Sequence, residues 1–177
     1  MVAFLRAVNV GGHVVTMEDL RRHFAKAGAK NVETFIASGN VIFDWPSDSL
    51  ASAGAKIEDG LRKALGYEVK TFVRSAAEVT EVARYRPFPQ PDMKAATVVT
   101  VGFLAEPLVA AATKTLMSFR SDMDDFHVHG REVYWLCRVR QSESPFFKVP
   151  FEKRVNVRVT FRNMNTIQRM VRKYDWT

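Results

Sequence analysis

Apolar and polar residues alternate in two separate stretches of the chain, and a turn sequence interrupts each stretch. Residues 33–45 place β-branched and aromatic residues on both sides of Ser38-Gly39-Asn40, and residues 125–137 do the same around Gly130-Arg131. Such alternation marks half-buried strands, and a glycine in the short connection permits the positive φ that a tight β-hairpin needs. The sequence therefore predicts two antiparallel hairpins.

Most of the remaining apolar residues recur at spacings of three and four, which predicts helices. Thr16 and Ser75 each stand three positions before an acidic residue and are typical helix N-caps, while Gly28 and Gly66 are typical helix stops. Strands are predicted at 2–10, 67–74, 95–104 and 156–162, and helices at 17–27, at 50–65, after Ser75, from Pro107, around Phe151 and from Asn165. Each half of the chain thus has the order strand, helix, hairpin, helix, strand, helix.

This element order predicts the fold class. It is typical of an α+β protein in which a ferredoxin-like β-α-β-β-α-β unit with an added helix occurs twice. Three prolines fall in residues 87–91, where we expect an extended chain that joins no helix, because proline donates no backbone hydrogen bond. We therefore predict an N-terminal half, 1–88, and a C-terminal half, 93–177, in one compact two-lobed protein.

Positive charge is concentrated toward the end of the chain. The net charge is +7, and residues 131–177 alone hold 11 Lys and Arg against 4 Asp and Glu. Charge distribution governs association with charged partners rather than the fold. The basic half therefore predicts an anionic partner.

Composition also indicates where the protein works. No apolar run approaches the roughly 20 residues that a membrane-spanning helix requires. Cys137, the single cysteine, follows the run Tyr134-Trp135-Leu136 and has no partner for an internal disulfide. We therefore expect a soluble cytoplasmic protein with no membrane partner, in which Cys137 is a buried, unreactive thiol.

Three spaced motifs resemble a known family. They are Phe4-Leu5-Arg6-Ala7-Val8-Asn9-Val10-Gly11-Gly12, Ser38-Gly39-Asn40-Val41-Ile42-Phe43 and Arg162-Asn163-Met164-Asn165-Thr166-Ile167. With these motifs in this order, the chain is similar nearly from end to end to the family called domain of unknown function 1697. The resemblance implies a small bacterial α+β protein and brings with it no activity, cofactor or partner.

The chain departs from the usual pattern of that family at four places. Ala7 stands where the family usually has Gly, His13 where it has Lys, and Met164 where it has Trp. The loop Ser142–Lys148 is atypical beside the shorter Ser-Lys segment of the family. A site that uses the family's lysine or tryptophan cannot be carried over to this chain.

Few residues suggest catalysis or metal binding. The spacing of Gly11-Gly12 matches neither a Walker loop nor a dinucleotide fingerprint, so a structural turn is favoured over a phosphate loop. His127 and His129 face one side of a strand without a third ligand at recognisable spacing, so we predict a solvated strand face and no metal site. No cofactor or catalytic residue is indicated, and whether the protein is an enzyme stays open.

The first functional hypothesis is a non-catalytic binding module for a nucleic acid or a phosphorylated ligand. Its basic surface would consist of Arg138, Arg140, Lys148, Arg158, Arg162, Arg169, Arg172 and Lys173. Tyr134 and Trp135 lie nearby in sequence, and cations beside aromatic residues on a sheet are the ingredients of a nucleic-acid platform. A basic but merely solvated surface is the alternative interpretation.

The second hypothesis is a small-molecule-binding protein or enzyme with a pocket rich in hydrogen-bond donors. The candidate ligand-binding residues are Arg6, Asn9, Gly11, Gly12, Ser38, Asn40, Arg162, Asn163 and Asn165. If the two halves pack together, these residues can converge around a carboxylate or phosphate. Alternatively, the asparagines are turn and cap residues, and the arginines bind backbone carbonyls.

Overall fold

Two four-stranded antiparallel sheets and seven α-helices form the fold in the part of the chain that the structure describes. The structure is a computed structural model and describes residues 1–9, 12, 14–46 and 49–176, without the side chains of Ala37 and Ser38. The predicted α+β class is confirmed. None of the described helices is long and apolar enough to cross a membrane.

The chain divides into two compact units. Met1–Val82 groups with Met170–Thr177, and Ala83–Arg169 forms the second unit. The grouping therefore departs from the predicted halves 1–88 and 93–177 at two places. Residues 83–88 belong with the second unit, and the residues from Met170 onward belong with the first.

The first unit contains one sheet and the helices that cover it. Its elements are β1 Val2–Arg6, α1 Met17–Lys26, β2 Lys30–Phe35, β3 Ala37–Asp44, α2 Leu50–Leu65, β4 Lys70–Arg74 and most of α3 Ala76–Arg84. The strands lie in the order β2-β3-β1-β4, and all neighbours are antiparallel. Alternate strand residues such as Leu5 and Phe43 pack with Phe24 of α1 and Ile57 of α2 in the core.

The predicted helix caps of the first unit are present. Thr16 Oγ1 accepts a hydrogen bond from the backbone N–H of Asp19 at 3.0 Å. Ser75 and Glu78 form a reciprocal capping box, in which each side chain accepts from the backbone N–H of the other residue. Gly66 ends α2 with a φ of 80°.

The first hairpin is present, but its turn was predicted at the wrong residues. The chain reverses at Ile36, which has a φ of 63° and lies between the paired residues Phe35 and Ala37. Asn40 continues β3 and pairs with Phe4 of β1, so Gly39-Asn40 is part of the ladder instead of the turn. A β-branched residue rarely adopts a positive φ, and the sequence pattern therefore did not reveal this turn.

The second unit contains a sheet with the same relative strand order. Its elements are α4 Gln90–Ala95, β5 Val98–Phe103, α5 Ala110–Met117, β6 Asp124–His129, β7 Glu132–Cys137, α6 Phe151–Val155, β8 Thr160–Asn163 and the first part of α7 Met164–Lys173. The order is β6-β7-β5-β8, again with antiparallel neighbours. The second hairpin turns at Gly130-Arg131 as predicted, and Gly130 has a φ of 56°.

Three predictions about helix starts in the second unit are corrected. Pro91 lies in the first turn of α4, where a missing N–H costs no helical hydrogen bond, so the proline cluster does enter a helix. Pro107 precedes α5, whose N-cap is Val109. Asn163, rather than Asn165, caps α7, because its Oδ1 accepts from the backbone N–H of Asn165 at 2.8 Å.

Asp124 is a buried charged residue at the start of β6. Only 1% of it is exposed. Its carboxylate accepts hydrogen bonds from the indole N–H of Trp135 at 2.7 Å and from the hydroxyl of Ser144 at 2.8 Å. A third donor is the hydroxyl of Ser121 at 3.3 Å. These bonds fix the loop that contains Ser144 to the edge strand β6.

Thr100 in β5 leads to a stability prediction. Its Oγ1 is buried and is the one buried side-chain polar atom without a hydrogen-bond partner in the described residues. Thr100→Val keeps the branched shape and removes the unpaired hydroxyl, so we expect it to raise the free energy of unfolding by about 1 kcal/mol. Urea unfolding at equilibrium measures this change.

Thr100→Ser is the matched control for that prediction. It keeps the unpaired hydroxyl and removes a buried methyl group, so we expect a loss of about 1 kcal/mol. An equal loss of unfolding free energy in Thr100→Val and Thr100→Ser would show that Thr100 Oγ1 has a hydrogen-bond partner in solution.

Candidate anion-binding surface

Four of the predicted pocket residues lie at one end of the first sheet. Arg6 ends β1, and Asn9 follows it, with its Oδ1 accepting from the backbone N–H of Val15 at 2.9 Å. Asn40 is buried in β3, and its Nδ2 donates to the carbonyl of Phe35 at 3.1 Å. Gly12 has a φ of 82° in the loop before α1. The side chains of both asparagines therefore bind backbone groups of the first unit.

Two other predicted pocket residues lie wholly or partly outside the described part of the chain. Gly11 lies outside the described residues, and the side chain of Ser38 is not described. His13, one of the departures from the family pattern, also lies outside the described residues.

The remaining predicted pocket residues belong to the second unit. Arg162 is half-buried in β8, and its Nη1 donates to Thr160 Oγ1 and to the carbonyl of Phe161, both at 2.8 Å. Burial lowers the pKa of Arg162 to about 10, so the guanidinium is still charged at neutral pH. The predicted pocket draws residues from both units, and it stays a prediction.

A cavity of about 280 Å³ opens within the second unit beside the start of α7. Its polar lining comes from Thr97, Asn163, Asn165 and Gln168, and Met164 contributes to the apolar part. Two of the predicted ligand-binding residues, Asn163 and Asn165, thus lie at one concave site.

The histidine pair contacts aromatic side chains on its strand face, where His127 is half-buried and His129 is exposed. The hydroxyl of Tyr85 lies 2.7 Å from His127 Nε2, and the Tyr85 ring stacks on His129 with ring centroids 4.3 Å apart. Phe88 contacts the edge of His127. In the described part of the chain, no three side chains of the metal-ligating types come together.

Cys137 should resist thiol reagents while the protein is folded. Its side chain is fully buried, Sγ donates to the carbonyl of Val139 at 3.1 Å, and burial raises the pKa of the thiol. A reagent that needs the exposed thiolate should therefore react only after unfolding. Labelling with and without urea measures this, and rapid stoichiometric labelling of the native protein would refute it.

The predicted basic surface is divided between the two units. Arg138, Arg140, Arg158 and Arg169 belong to the second unit, and Arg172 and Lys173 belong to the first. Two of these cations are already paired: Arg138 with Asp92 at 3.1 Å and Lys173 with Glu33 at 3.6 Å. Lys173 also donates to the hydroxyl of Tyr174.

The predicted aromatic platform is wrong. Tyr134 is 1% exposed and Trp135 is 4% exposed, so neither ring can stack on a base. Trp135 packs in the core of the second unit, with Phe146 at a centroid distance of 5.0 Å. A platform must therefore be found elsewhere.

A cluster of exposed cations occupies residues 147–158, which we call the basic segment. Its exposed aromatic and charged side chains are Phe147, Lys148, Lys153, Arg154 and Arg158. None of the four cations forms an ion pair with a carboxylate in the described residues. The Arg154 guanidinium lies 5.8 Å from the ring of Phe119. Lys148 and Arg158 were identified from the sequence, whereas Phe147, Lys153 and Arg154 were missed.

Buried neighbours hold the basic segment to the core. Phe151 and Val155 of α6 are buried, and Phe146 precedes the segment as a third anchor. Glu152 Oε1 accepts from the backbone N–H of Val159 at 2.8 Å, so this carboxylate is directed to the backbone. The cations therefore project from a fixed frame and leave their charge available to an external anion.

Known proteins resemble the chain in sequence and in fold. No curated protein matches it. The conserved bacterial protein SP0830 from Streptococcus pneumoniae has a similar structure, with a TM-score of 0.74 and 24% sequence identity over 96% of this chain and 97% of that chain. At this identity the likeness shows the fold alone.

The sequence also matches a defined protein family. The family is described as protein of unknown function (DUF1697), and the match covers residues 1–134. This range includes the first two motifs of the resemblance and ends before Arg162-Asn163-Met164. Because it covers most of the chain, the protein belongs to the DUF1697 family.

Proposed function

We propose that the protein is a non-catalytic binding module for an anionic partner, a nucleic acid or a phosphorylated ligand. The basic segment carries the proposal, because its four cations are exposed and have no carboxylate partner in the described residues. Arg140 and Arg169 of the same unit are also exposed. Cations without internal partners retain their full attraction for phosphate groups.

The salt dependence of binding tests this proposal. The probes are fluorescein-labelled oligothymidylate and heparin, and the readout is fluorescence anisotropy. With four phosphate contacts, affinity for this single-stranded oligonucleotide should fall about 50-fold between about 50 and 200 mM salt. Absence of binding to both probes at the lower salt concentration would overturn the proposal.

A triple variant identifies the surface. Replacing Lys148, Lys153 and Arg158 together with Gln leaves one contact, so the loss over the same salt range should shrink to about threefold. The matched control replaces Arg21, Lys26 and Lys30 with Gln. These are three exposed cations of the first unit, so the control removes the same charge. The control should keep the steep salt dependence of oligonucleotide affinity. An equally weak salt dependence in both triple variants would contradict the assignment of binding to the basic segment.

A second candidate function is binding of a small molecule at the cavity beside α7. The cavity favours it because Asn163 and Asn165 present amide groups to a space of about 280 Å³. The ligand would be a small polar molecule held by hydrogen bonds.

Thermal shift measurements separate the two candidate functions. A small carboxylate, phosphate ester or amide that raises the melting temperature of the wild type should lose its effect in Asn165→Ala. The triple variant of the basic segment should respond like the wild type.

We also propose that the fold arose by tandem duplication of a ferredoxin-like unit. Strands β1 to β4 and β5 to β8 have the same relative order in their sheets, which supports this history. An experimental structure tests it by superposition of one sheet with its helices on the other. Helices packed on opposite faces of the two sheets would contradict the duplication.

The proposed location is the reducing cytoplasm. A single cysteine that is free and buried supports this assignment, because secreted proteins of this size commonly carry disulfides. Fusion to a fluorescent protein and microscopy of the source cell would test it.

A further inference from the structure

Phe147 is an exposed aromatic residue inside the basic segment. Its side chain is 60% exposed, and it is the one aromatic among the large apolar side chains that are exposed in the described residues. A single exposed apolar residue is common on protein surfaces and needs no special explanation. Phe147 differs from such residues because Lys148 follows it directly and three further cations lie within eleven residues of it.

The backbone at Phe147 is fixed by its neighbours. Phe146 is buried between aromatic rings, including Phe126 at a centroid distance of 4.5 Å and Trp135 at 5.0 Å. Its backbone N–H donates to Ser144 Oγ, and that hydroxyl donates to Asp124. Phe147 therefore projects from a short 3-10 turn, 145–148, that is tied to the core on its buried side.

A rigid exposed ring beside unpaired cations matches the requirements of one kind of anionic partner. Single-stranded nucleic acids bind through phosphate contacts to basic residues and through stacking of bases on aromatic rings. The bases of a duplex are already stacked, so a surface phenylalanine gains contact with them only if the helix is distorted. Because the turn is held in advance, little conformational entropy is lost when a base stacks.

We propose that the basic segment binds single-stranded nucleic acid, with Phe147 stacking on one base and the four cations contacting phosphates. This inference rests on the proposed function, since the same cations serve both. To the proposed function it adds one class of partner, single-stranded nucleic acid, and a binding role for an uncharged residue, Phe147. Membrane binding is less well supported, because α6 has only five residues and its Phe151 and Val155 are buried in the core.

Phe147→Ala tests the inference. Loss of one stacked base should weaken binding of fluorescein-labelled oligothymidylate by about 5- to 150-fold. Binding of heparin, which has no bases, should stay within twofold of the wild type, on the order of the scatter expected for an exposed neutral change. The slope of affinity against salt should be unchanged, because no phosphate contact is removed. Phe147→Trp should retain or improve binding of the oligonucleotide.

Val109→Ala is the matched control. Val109 is an exposed apolar residue of the same unit and lies outside the basic segment. It should leave binding of both probes unchanged, and circular dichroism should show that both variants are folded. An equal effect of Val109→Ala and Phe147→Ala would overturn the stacking role.

Each other outcome has a defined meaning. If heparin and the oligonucleotide bind with steep salt dependence and Phe147→Ala changes neither, the proposed function stands and the stacking inference fails. If neither probe binds, both fail. Tighter binding of a duplex of equal length, or Phe147-dependent binding to phosphatidylserine vesicles without binding to the oligonucleotide, would also overturn the inference.

Discussion

Replacing Asp124 with Ala should lower the free energy of unfolding by about 3–5 kcal/mol. The substitution removes the acceptor for the indole N–H of Trp135 and for the hydroxyl of Ser144, and both donors are buried. A buried donor without a partner costs more than the bond itself contributes, because the group has also lost its hydrogen bonds to water. Urea unfolding followed by tryptophan fluorescence measures the loss.

Two further variants test the cause of that loss. Asp124→Asn keeps one acceptor oxygen and nearly the same volume, so we expect an intermediate loss. Asp125→Ala is the control: Asp125 is only partly buried and pairs with Arg120, and such pairs contribute about 0–1 kcal/mol. Similar losses at positions 124 and 125 would show that the buried network contributes little.

Gly102→Ala should cost about 2 kcal/mol of unfolding free energy. Gly102 lies in the middle of β5, and a Cβ there would lie 2.7 Å from both Phe161 Cε1 and Val159 Cγ2. Phe161 lies opposite Gly102 in the neighbouring strand β8, and Val159 directly precedes that strand and is buried. Overpacking of this kind forces side chains from their preferred rotamers or moves the backbone.

Gly54→Ala provides the control for this effect. Gly54 lies within α2, and the atom closest to its added Cβ would be Val73 Cγ2 at 3.5 Å, an ordinary contact. Alanine is a better helix former than glycine by about 1 kcal/mol, so this variant should be more stable than the wild type. A stabilising effect of Gly102→Ala as well would show that β5 has room for the methyl group.

The two hairpins show what local sequence can reveal about this fold. The turn at Gly130-Arg131 was predicted correctly because glycine supplied the positive φ. The first turn was placed at Gly39-Asn40, although the chain turns at Ile36. Ile36 is a poor turn residue by itself, whereas Asn40 pairs with Phe4 of another strand and donates to the carbonyl of Phe35 beside the turn. Local propensity contains no information about such a pairing.

The candidate site was predicted in part for a similar reason. The excess of positive charge is a property of composition, so the basic half was found from the sequence. Which cations are available depends on contacts between residues far apart, such as Arg138 with Asp92, 46 positions away. Burial of Tyr134 and Trp135 likewise depends on packing against other elements, so the aromatic platform was misplaced.

The placement of Met170–Thr177 in the first unit has a consequence for protein synthesis. Tyr174 donates to Glu33 of β2 at 2.6 Å, and the Thr80 hydroxyl donates to the carbonyl of Trp176. On a ribosome, residues 1–82 emerge before these partners, and the intervening unit takes roughly 4–17 s to translate. Hairpins form in about 1–10 μs, so the first sheet of the nascent chain must wait before Tyr174 can contact Glu33 and Phe35 of β2. Vectorial translation therefore leaves these side chains of β2 accessible to chaperones until α7 is made.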